Sequence, residues 1–350
     1  MPIWQRIRLL LCVVPVLALS GCIESQADPM IELSGPTMGT YYSVKIARPP
    51  AGLTVAQLEL ELGFVLNAVI AEISTYDPNS ELSRLNANSS TDWIPISAQL
   101  LNVIADGQRI AALTDGVYDV TIGPLVNLWG FGPEHRAERL PTAADIQATR
   151  ERVGYRKLEL RSAPPAVRKA RGDLYIDLSS LGEGYGADRI VAWLEAHGVT
   201  DYMVAIAGAI RAQGHNAKGQ PWGIAIEQPL PEQRSVHRVV PLSGHALATS
   251  GDYRNFFEQN GKRYSHEIDP YTGAPVDRKL GSVTVIGDVG MTVDGLATAL
   301  MVLGEERGPA LAAAQGIAAY FIVREGTTVR GIASPAFQAY LDAVGDAAGD

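Results

Sequence analysis

Three groups of residues in this sequence have types and spacings suited to chemistry. The first is Asp294 and Thr298 in "MTVDGLATAL", four residues apart. On a helix that spacing puts a carboxylate and a hydroxyl on one face. Facing a cleft, they are half of a Mg²⁺ site. Otherwise Asp294 caps its own helix and Thr298 bonds a carbonyl one turn back. The second group lies in "DLSSLGEGYGADRIVAWL", 177–194, where Asp177, Ser179, Ser180 and Glu183 accompany glycines at 182, 184 and 186. Carboxylates and exposed carbonyls are hard oxygen donors of the kind Mg²⁺ takes. A helix starting after Gly186 would offer free N–H groups to a phosphate. The third is His266 in "SHEID". An imidazole titrates near neutrality and can accept a proton from a hydroxyl.

The run Gly182-x-Gly184-x-x-Ala187 also satisfies the dinucleotide-turn pattern. That fingerprint requires an acid at the end of the next strand. Here the next strand, "YMVAIA", runs into Gly208-Ala209, and Asp201 stands at its beginning. A Rossmann site is therefore disfavoured. The glycines alone do not decide between a ligand loop and a simple turn.

These residues need elements to position them. The sequence predicts a strand over 37–47, with Tyr42, Val44 and Ile46 on one face, and a helix over 54–74. A polar loop, 74–88, leads to a second helix over 97–116 with Gly116 as its stop. Residues 116–132 read as irregular and aromatic, and 141–154 as a capped helix. Strands are expected at 157–161 and 173–178, then two around Gly208, with 221–229 and 237–251 continuing the sheet. Asn260-Gly261 marks a hairpin. A strand, a helix near 293–303, another helix and the strand "AAYFIVRE" close the chain. Strand pairs outnumber βαβ units, so the expected class is α+β (mixed α/β).

The 350 residues are ample for a large core, and 47% apolar with 19% charged residues is an ordinary globular composition. A net charge of −9 argues against nucleic acid as a partner. The N-terminus carries Arg6, Arg8, the apolar run "LLLCVVPVLAL" and then "LALSGC". The run is too short to span a bilayer and suits a signal-peptide core. Its end resembles a bacterial lipobox, which implies cleavage before Cys22 and lipidation of that residue. The expected organisation is a signal peptide at 1–21, a tether at 22–32 and one domain at 33–345. Cys12 and Cys22 are the only cysteines, so the mature domain has no disulfide. The lipid would be its sole membrane attachment.

Six blocks in order carry a wider resemblance: "GPTMGTYYSV", "STYDPNSELSRLN", "GVYDVTIGPLVNLWGFG", "DLSSLGEGYGADRI", "ATSGDYRNFFEQNGKRYSHEIDPYTGAPV" and "SVTVIGDVGMTVDGLATALMVLG". Together they resemble the ApbE family of FAD:protein FMN transferases. The resemblance implies a single domain with a mostly antiparallel sheet and flanking helices. It implies Mg²⁺-dependent transfer of FMN from FAD to a Thr or Ser hydroxyl of an exported flavoprotein subunit, with AMP leaving. The implied acceptors are subunits of Na⁺-translocating NADH:quinone reductase or Rnf-type complexes, with a motif near Asp-x-x-(Ser/Thr)-Gly-Ala-(Ser/Thr). The implied metal ligands are Asp294, Thr298 and Ser180. The implied flavin and adenosine contacts are Met38, Tyr76, Val117, Tyr118, Asp119, Asp177, Glu183 and the backbone near Ile268. His266 would activate the acceptor hydroxyl. Glu183 departs from the pattern, since many members carry lysine there. A carboxylate can accept from ribose hydroxyls but cannot pair a phosphate. Two other readings stay open on the sequence: an FAD pyrophosphatase, or a non-catalytic FAD-binding lipoprotein. The expected location is the periplasmic side of a bacterial membrane, with the inner membrane favoured.

Overall fold

The computed structural model describes residues 30–347 apart from 51, 134–139, 231–234 and 254. Cys22 and the signal segment lie outside the described residues.

In chain order the elements open with strands β1 (Ile31–Thr37) and β2 (Thr40–Ile46), then helices α1 (Val55–Ile73) and α2 (Glu81–Ala87). Strand β3 (Ile94–Pro95), helices α3 (Ala98–Leu113), α4 (Gly123–Leu128) and α5 (Ala143–Arg150), and strands β4 (Leu158–Ser162) and β5 (Pro165–Lys169) follow. Helix α6 (Ser179–Ala196) precedes β6 (Tyr202–Ile206), β7 (Ala209–Gln213), β8 (Trp222–Glu227), β9 (Val236–Leu242) and β10 (His245–Gly251). The hairpin β11 (Phe256–Gln259) and β12 (Lys262–Ser265) and the short pair β13 (Ile268–Asp269) and β14 (Ala274–Pro275) come next. Strand β15 (Leu280–Gly287), helix α7 (Gly290–Ala314), strands β16 (Ala318–Glu325) and β17 (Thr328–Ala333) and helix α8 (Pro335–Ala347) finish the chain.

The main sheet has eight strands in the order β1-β2-β6-β7-β10-β15-β16-β17. Every pairing in it is antiparallel, as the strand-rich pattern led one to expect. Period-2 alternation splits its side chains between two layers. Val44, Ile46, Val204 and Ile206 face α1 and α6, while Met203, Ala212, Tyr320 and Ile322 face β8, β9 and α8. Val283, Val285 and Phe321 join α3, α6 and α7 in the largest core.

The long helices form where sequence spacing dictates. Helix α1 buries Leu58, Leu62, Leu66, Val69 and Ile73, a three-and-four spacing that makes one apolar stripe. Thr54 and Gln57 close it with a reciprocal capping box. Helix α3 starts at Ser97, whose side chain accepts from the Leu100 N–H. Among the described residues no helix is long and apolar enough to cross a membrane.

Several elements differ from the sequence reading. Strand β1 opens at Ile31, two residues inside the stretch read as a tether. The loop at 74–88 contains α2, capped by Ser80. Strands β8 and β9 form their own two-stranded sheet rather than extending the main one. Residues 173–178 are not a strand; β5 takes that part and pairs with β4. Leu174, Ile176 and Leu178 are fully buried, which explains the strand-like alternation. The backbone of this segment is satisfied piecemeal instead of by a ladder: the Asp177 N–H donates to the Val120 carbonyl, and Ile176 pairs with a side chain. Asn86 donates to the Ile176 carbonyl and accepts from its N–H, both at 2.8 Å.

The glycine run is the largest correction. Gly182, Gly184 and Gly186 lie within α6, which begins at Ser179, not after Gly186. A Cβ on Gly184 would collide with the Gly290 carbonyl and come 2.7 Å from the Met291 nitrogen of α7. One on Gly186 would stand 2.8 Å from Ile206 of β6. Each helical glycine costs roughly 1 kcal/mol against alanine. Here the absence of a side chain lets α6 seat directly on α7 and the sheet.

Candidate active site

A single cavity of about 1180 Å³ lies at the meeting of α6, α7, β10, the 115–132 segment and the β11–β14 region. Twelve of the residues singled out from the sequence line it: Met38, Tyr76, Val117, Tyr118, Asp119, Asp177, Ser180, Glu183, His266, Ile268, Asp294 and Thr298. Only Cys22 of that set lies elsewhere, outside the described residues.

Asp294 and Thr298 sit one turn apart on α7. The N-cap of α7 is Val289, so Asp294 does not cap its own helix. Its Oδ2 instead accepts the Gly184 N–H of α6 at 2.9 Å. In a regular helix that N–H pairs with the Ser180 carbonyl. Sharing the donor leaves the Ser180 carbonyl with acceptor capacity to spare. The Asp294 carboxyl is held well above its ordinary value, first by burial and then by the nearby charge of Glu183. Thr298 Oγ1 is 3.2 Å from the Ser250 hydroxyl of β10. The Ser180 hydroxyl is 2.9 Å from the Tyr118 hydroxyl.

These donors fit a hard divalent cation. Among the described residues no three His, Cys, Asp or Glu side chains gather into a metal cage. What converges here is one buried carboxylate with hydroxyl and carbonyl oxygens. Such a set leaves coordination positions to water or phosphate oxygens, the mode Mg²⁺ favours.

His266 is half-buried at the base of the β11–β12 hairpin. Its Nδ1 is 3.0 Å from the Asn255 carbonyl, which can only accept, so Nδ1 carries the proton. Burial lowers its pKa below the ordinary imidazole value. The neutral ring therefore keeps a lone pair on Nε2, 3.8 Å from Glu267 Oε1. That is the protonation state a general base requires.

The remaining residues divide by what their polar groups are already doing. Asp119 spends its carboxylate on its own loop, accepting from the Thr121 N–H, the Thr121 hydroxyl and the Tyr155 N–H at 2.7 to 2.8 Å. Its side chain braces this loop while the residue still lines the cavity. Asp177 uses Oδ1 on Ser179 and leaves Oδ2 open among the described residues. Glu183 Oε2 receives the Gly208 N–H at 3.2 Å, and burial raises its pKa. Tyr76 stands exposed at the rim, its hydroxyl donating to the Phe131 carbonyl. Met38 takes a positive φ in the β1–β2 turn and packs over Gly186. Trp129 is not a cavity residue. It is buried, stacks on Tyr264 with 5.7 Å between centroids, and donates to the Gly273 carbonyl. Sequence reasoning missed Ser250, Thr249 and Glu267, which also line the cavity. The serine in "ATSG" and the acid after His266 were the available signals.

The family model of the ApbE family matches residues 38–321. The chain belongs to the ApbE family. A relative in Vibrio cholerae, named FAD:protein FMN transferase, is 44% identical over 332 residues, covering 95% of this chain and 98% of the relative. One of the same name in Escherichia coli K12 is 38% identical over 320 residues, 91% of each chain. The solved flavin transferase ApbE from Vibrio cholerae superposes with a TM-score of 0.83 at 43% identity, over 89% of this chain and 99% of that one. The apo form of the Pseudomonas stutzeri flavinyl transferase ApbE gives 0.81 at 40%, over 89% and 97%. This ApbE fold is the mixed α/β, mostly antiparallel architecture described above.

Proposed function

We propose that this protein transfers FMN from FAD to a Thr or Ser hydroxyl of an exported flavoprotein subunit, releasing AMP. The observation that carries the reading is the large cavity that Asp294, Thr298, Ser180 and His266 all line, in a chain whose relatives are named FAD:protein FMN transferase. At about 1180 Å³ it exceeds the usual range for small ligands, which suits a dinucleotide together with an incoming peptide loop.

In this reading Asp294, Thr298 and the Ser180 oxygens hold Mg²⁺. When bound, the ion neutralises the pyrophosphate charge that otherwise repels a nucleophile. His266 Nε2 takes the proton of the acceptor hydroxyl as its oxygen bonds to the FMN phosphorus. The anhydride bond to the adenylate oxygen breaks, and AMP carries that oxygen away. At the start of α6 the Ser179 N–H is already held by Asp177 Oδ1 and the Leu181 N–H by the Leu178 carbonyl, so the first turn contributes to the site mainly through Ser180. Glu183 and the open Oδ2 of Asp177 are placed to accept hydroxyl or amide donors of the ligand. A solved Vibrio cholerae relative with one histidine replaced by glycine makes a histidine a natural target in this family.

The acceptor is assigned to an NADH:quinone reductase or Rnf-type subunit. Cys22 carries the lipid, and the enzyme works on the periplasmic side of the inner membrane. The acceptor rests on the resemblance to the ApbE family, and the lipidation and location on the lipobox-like N-terminus. The test is incubation of the full-length protein with FAD, Mg²⁺ and such a subunit. Covalent fluorescent flavin should appear on the acceptor and vanish when its motif Thr is changed to Ala. Free FMN and AMP with an unlabelled acceptor would overturn transfer.

A further inference from the structure

Helices α6 and α7 cross backbone to backbone, and the crossing is closed by two carboxylates acting in opposite directions. Gly184 faces Gly290 so tightly that a Cβ on Gly290 would stand 2.6 Å from the Gly184 carbonyl. Asp294 of α7 reaches back to the Gly184 N–H of α6. Asp188 of α6 reaches forward to α7. Its Oδ1 accepts the Gly290 N–H at 2.8 Å, and its Oδ2 accepts the Met291 N–H at 3.0 Å.

Those are the first two N–H groups of α7, which a helix leaves without internal partners. Val289, the N-cap residue, has no side-chain acceptor to offer them. Asp188 supplies the missing cap from a different helix. It also sits favourably at the positive end of the α7 dipole. Arg211 of β7 fixes Asp188 in turn. Its Nη1 donates at 2.7 Å to both Asp188 Oδ1 and the Asp288 carbonyl just before α7. The cap therefore joins α6, α7 and the sheet at one point, one turn along α6 from Gly184 and one turn along α7 from Asp294.

We propose that Asp188 is a positioning residue for the transfer reaction: by capping α7 from α6 it sets the distance between Ser180 on one helix and Asp294 and Thr298 on the other. This rests on the reading of those three residues as the cation site. Asp188 touches neither FAD nor the acceptor. Its effect is to hold ligands on two separate helices at one spacing. An ordinary capping residue would matter for stability alone.

The test compares Asp188→Ala and Asp188→Asn with Phe337→Leu in the full-length protein. Phe337 is fully buried between α8 and the far face of the sheet, so its truncation lowers stability away from the cavity. Asp188→Ala should raise the Mg²⁺ concentration for half-maximal transfer by about 10- to 100-fold, the usual cost of losing a residue that orients metal ligands. Mn²⁺ binding to the purified protein, read by paramagnetic relaxation without any turnover, should weaken by a similar factor. Asp188→Asn keeps an acceptor oxygen and should fall between Asp188→Ala and wild type. Phe337→Leu should lower Tm and leave both metal readouts unchanged. If Asp188→Ala melts lower yet binds Mn²⁺ and responds to Mg²⁺ as wild type does, Asp188 is only a stabilising cap. The same conclusion follows if Phe337→Leu moves the metal readouts equally. Should wild type itself bind no Mn²⁺, the cation site fails rather than the role of Asp188.

Discussion

His266 shows how one residue's task is decided by what its other atoms are doing. Its Nδ1 is committed to the Asn255 carbonyl, and its pKa is lowered by burial. A base whose folded pKa is depressed stays neutral as pH falls until that lower value is reached. Transfer should thus hold through pH 6.5 and decline only below it. His266→Gln should lower kcat by about 100- to 10,000-fold, the span general-base catalysis supplies, and should abolish that acid limb. FAD affinity should be little changed, because Nε2 acts on the acceptor. A pH–rate profile with and without the substitution checks this; an unchanged acid limb in His266→Gln would assign it to another group. Asp119 is the opposite case. The resemblance offered it as a ligand contact; it lines the cavity, and its carboxylate also takes three bonds from its own loop. Residue type could place both side chains near one cavity. It could not reveal which lone pairs the loops would use first.

Elements were legible where local chemistry sufficed. The caps at Thr54, Ser97 and Thr142 and the Asn260-Gly261 turn, both residues at positive φ, announce themselves within a few residues. The α6 glycines did not, because what crowds them is distant in sequence: the backbone of Gly290 at Gly184 and the Ile206 side chain at Gly186. Local propensity reads three alternating glycines as a turn; tertiary contact makes them a packing face. The two readings predict different mutants. Gly184→Ala pushes a methyl into the Gly290 carbonyl, and backbone cannot yield cheaply, so overpacking should cost roughly 1–3 kcal/mol and displace Asp294. Gly182→Ala meets only the Ile73 methyl at 3.5 Å, an ordinary contact. There the gain in helix propensity should stabilise by up to about 1 kcal/mol. Opposite Tm shifts for the two variants support the packing role. Loss of stability in both would restore the turn reading.

At the scale of the whole molecule, an acidic chain has folded several carboxyls into its interior around one cavity. Glu267 is the clearest of them, 4% exposed beside His266. Burial, with a smaller push from the charge of Asp252, raises its pKa to about 8, against an ordinary 4.5. The folded protein therefore binds a proton here that the unfolded chain has released, and folding is favoured at the acid end of this interval. Stability falls as pH rises from 4.5 towards 8, because ionisation is free in the unfolded chain and opposed in the native one. At about 1.4 kcal/mol per pH unit, the interval caps the effect at about 5 kcal/mol. Glu267→Gln replaces the acid with a neutral group of nearly the same shape. It should raise Tm at pH 8, change it little near pH 5, and flatten the Tm–pH curve between. Thermal melts across that range decide the matter. A variant whose curve keeps the wild-type slope would mean that Glu267 ionises at an ordinary pH and that the cavity it lines solvates it.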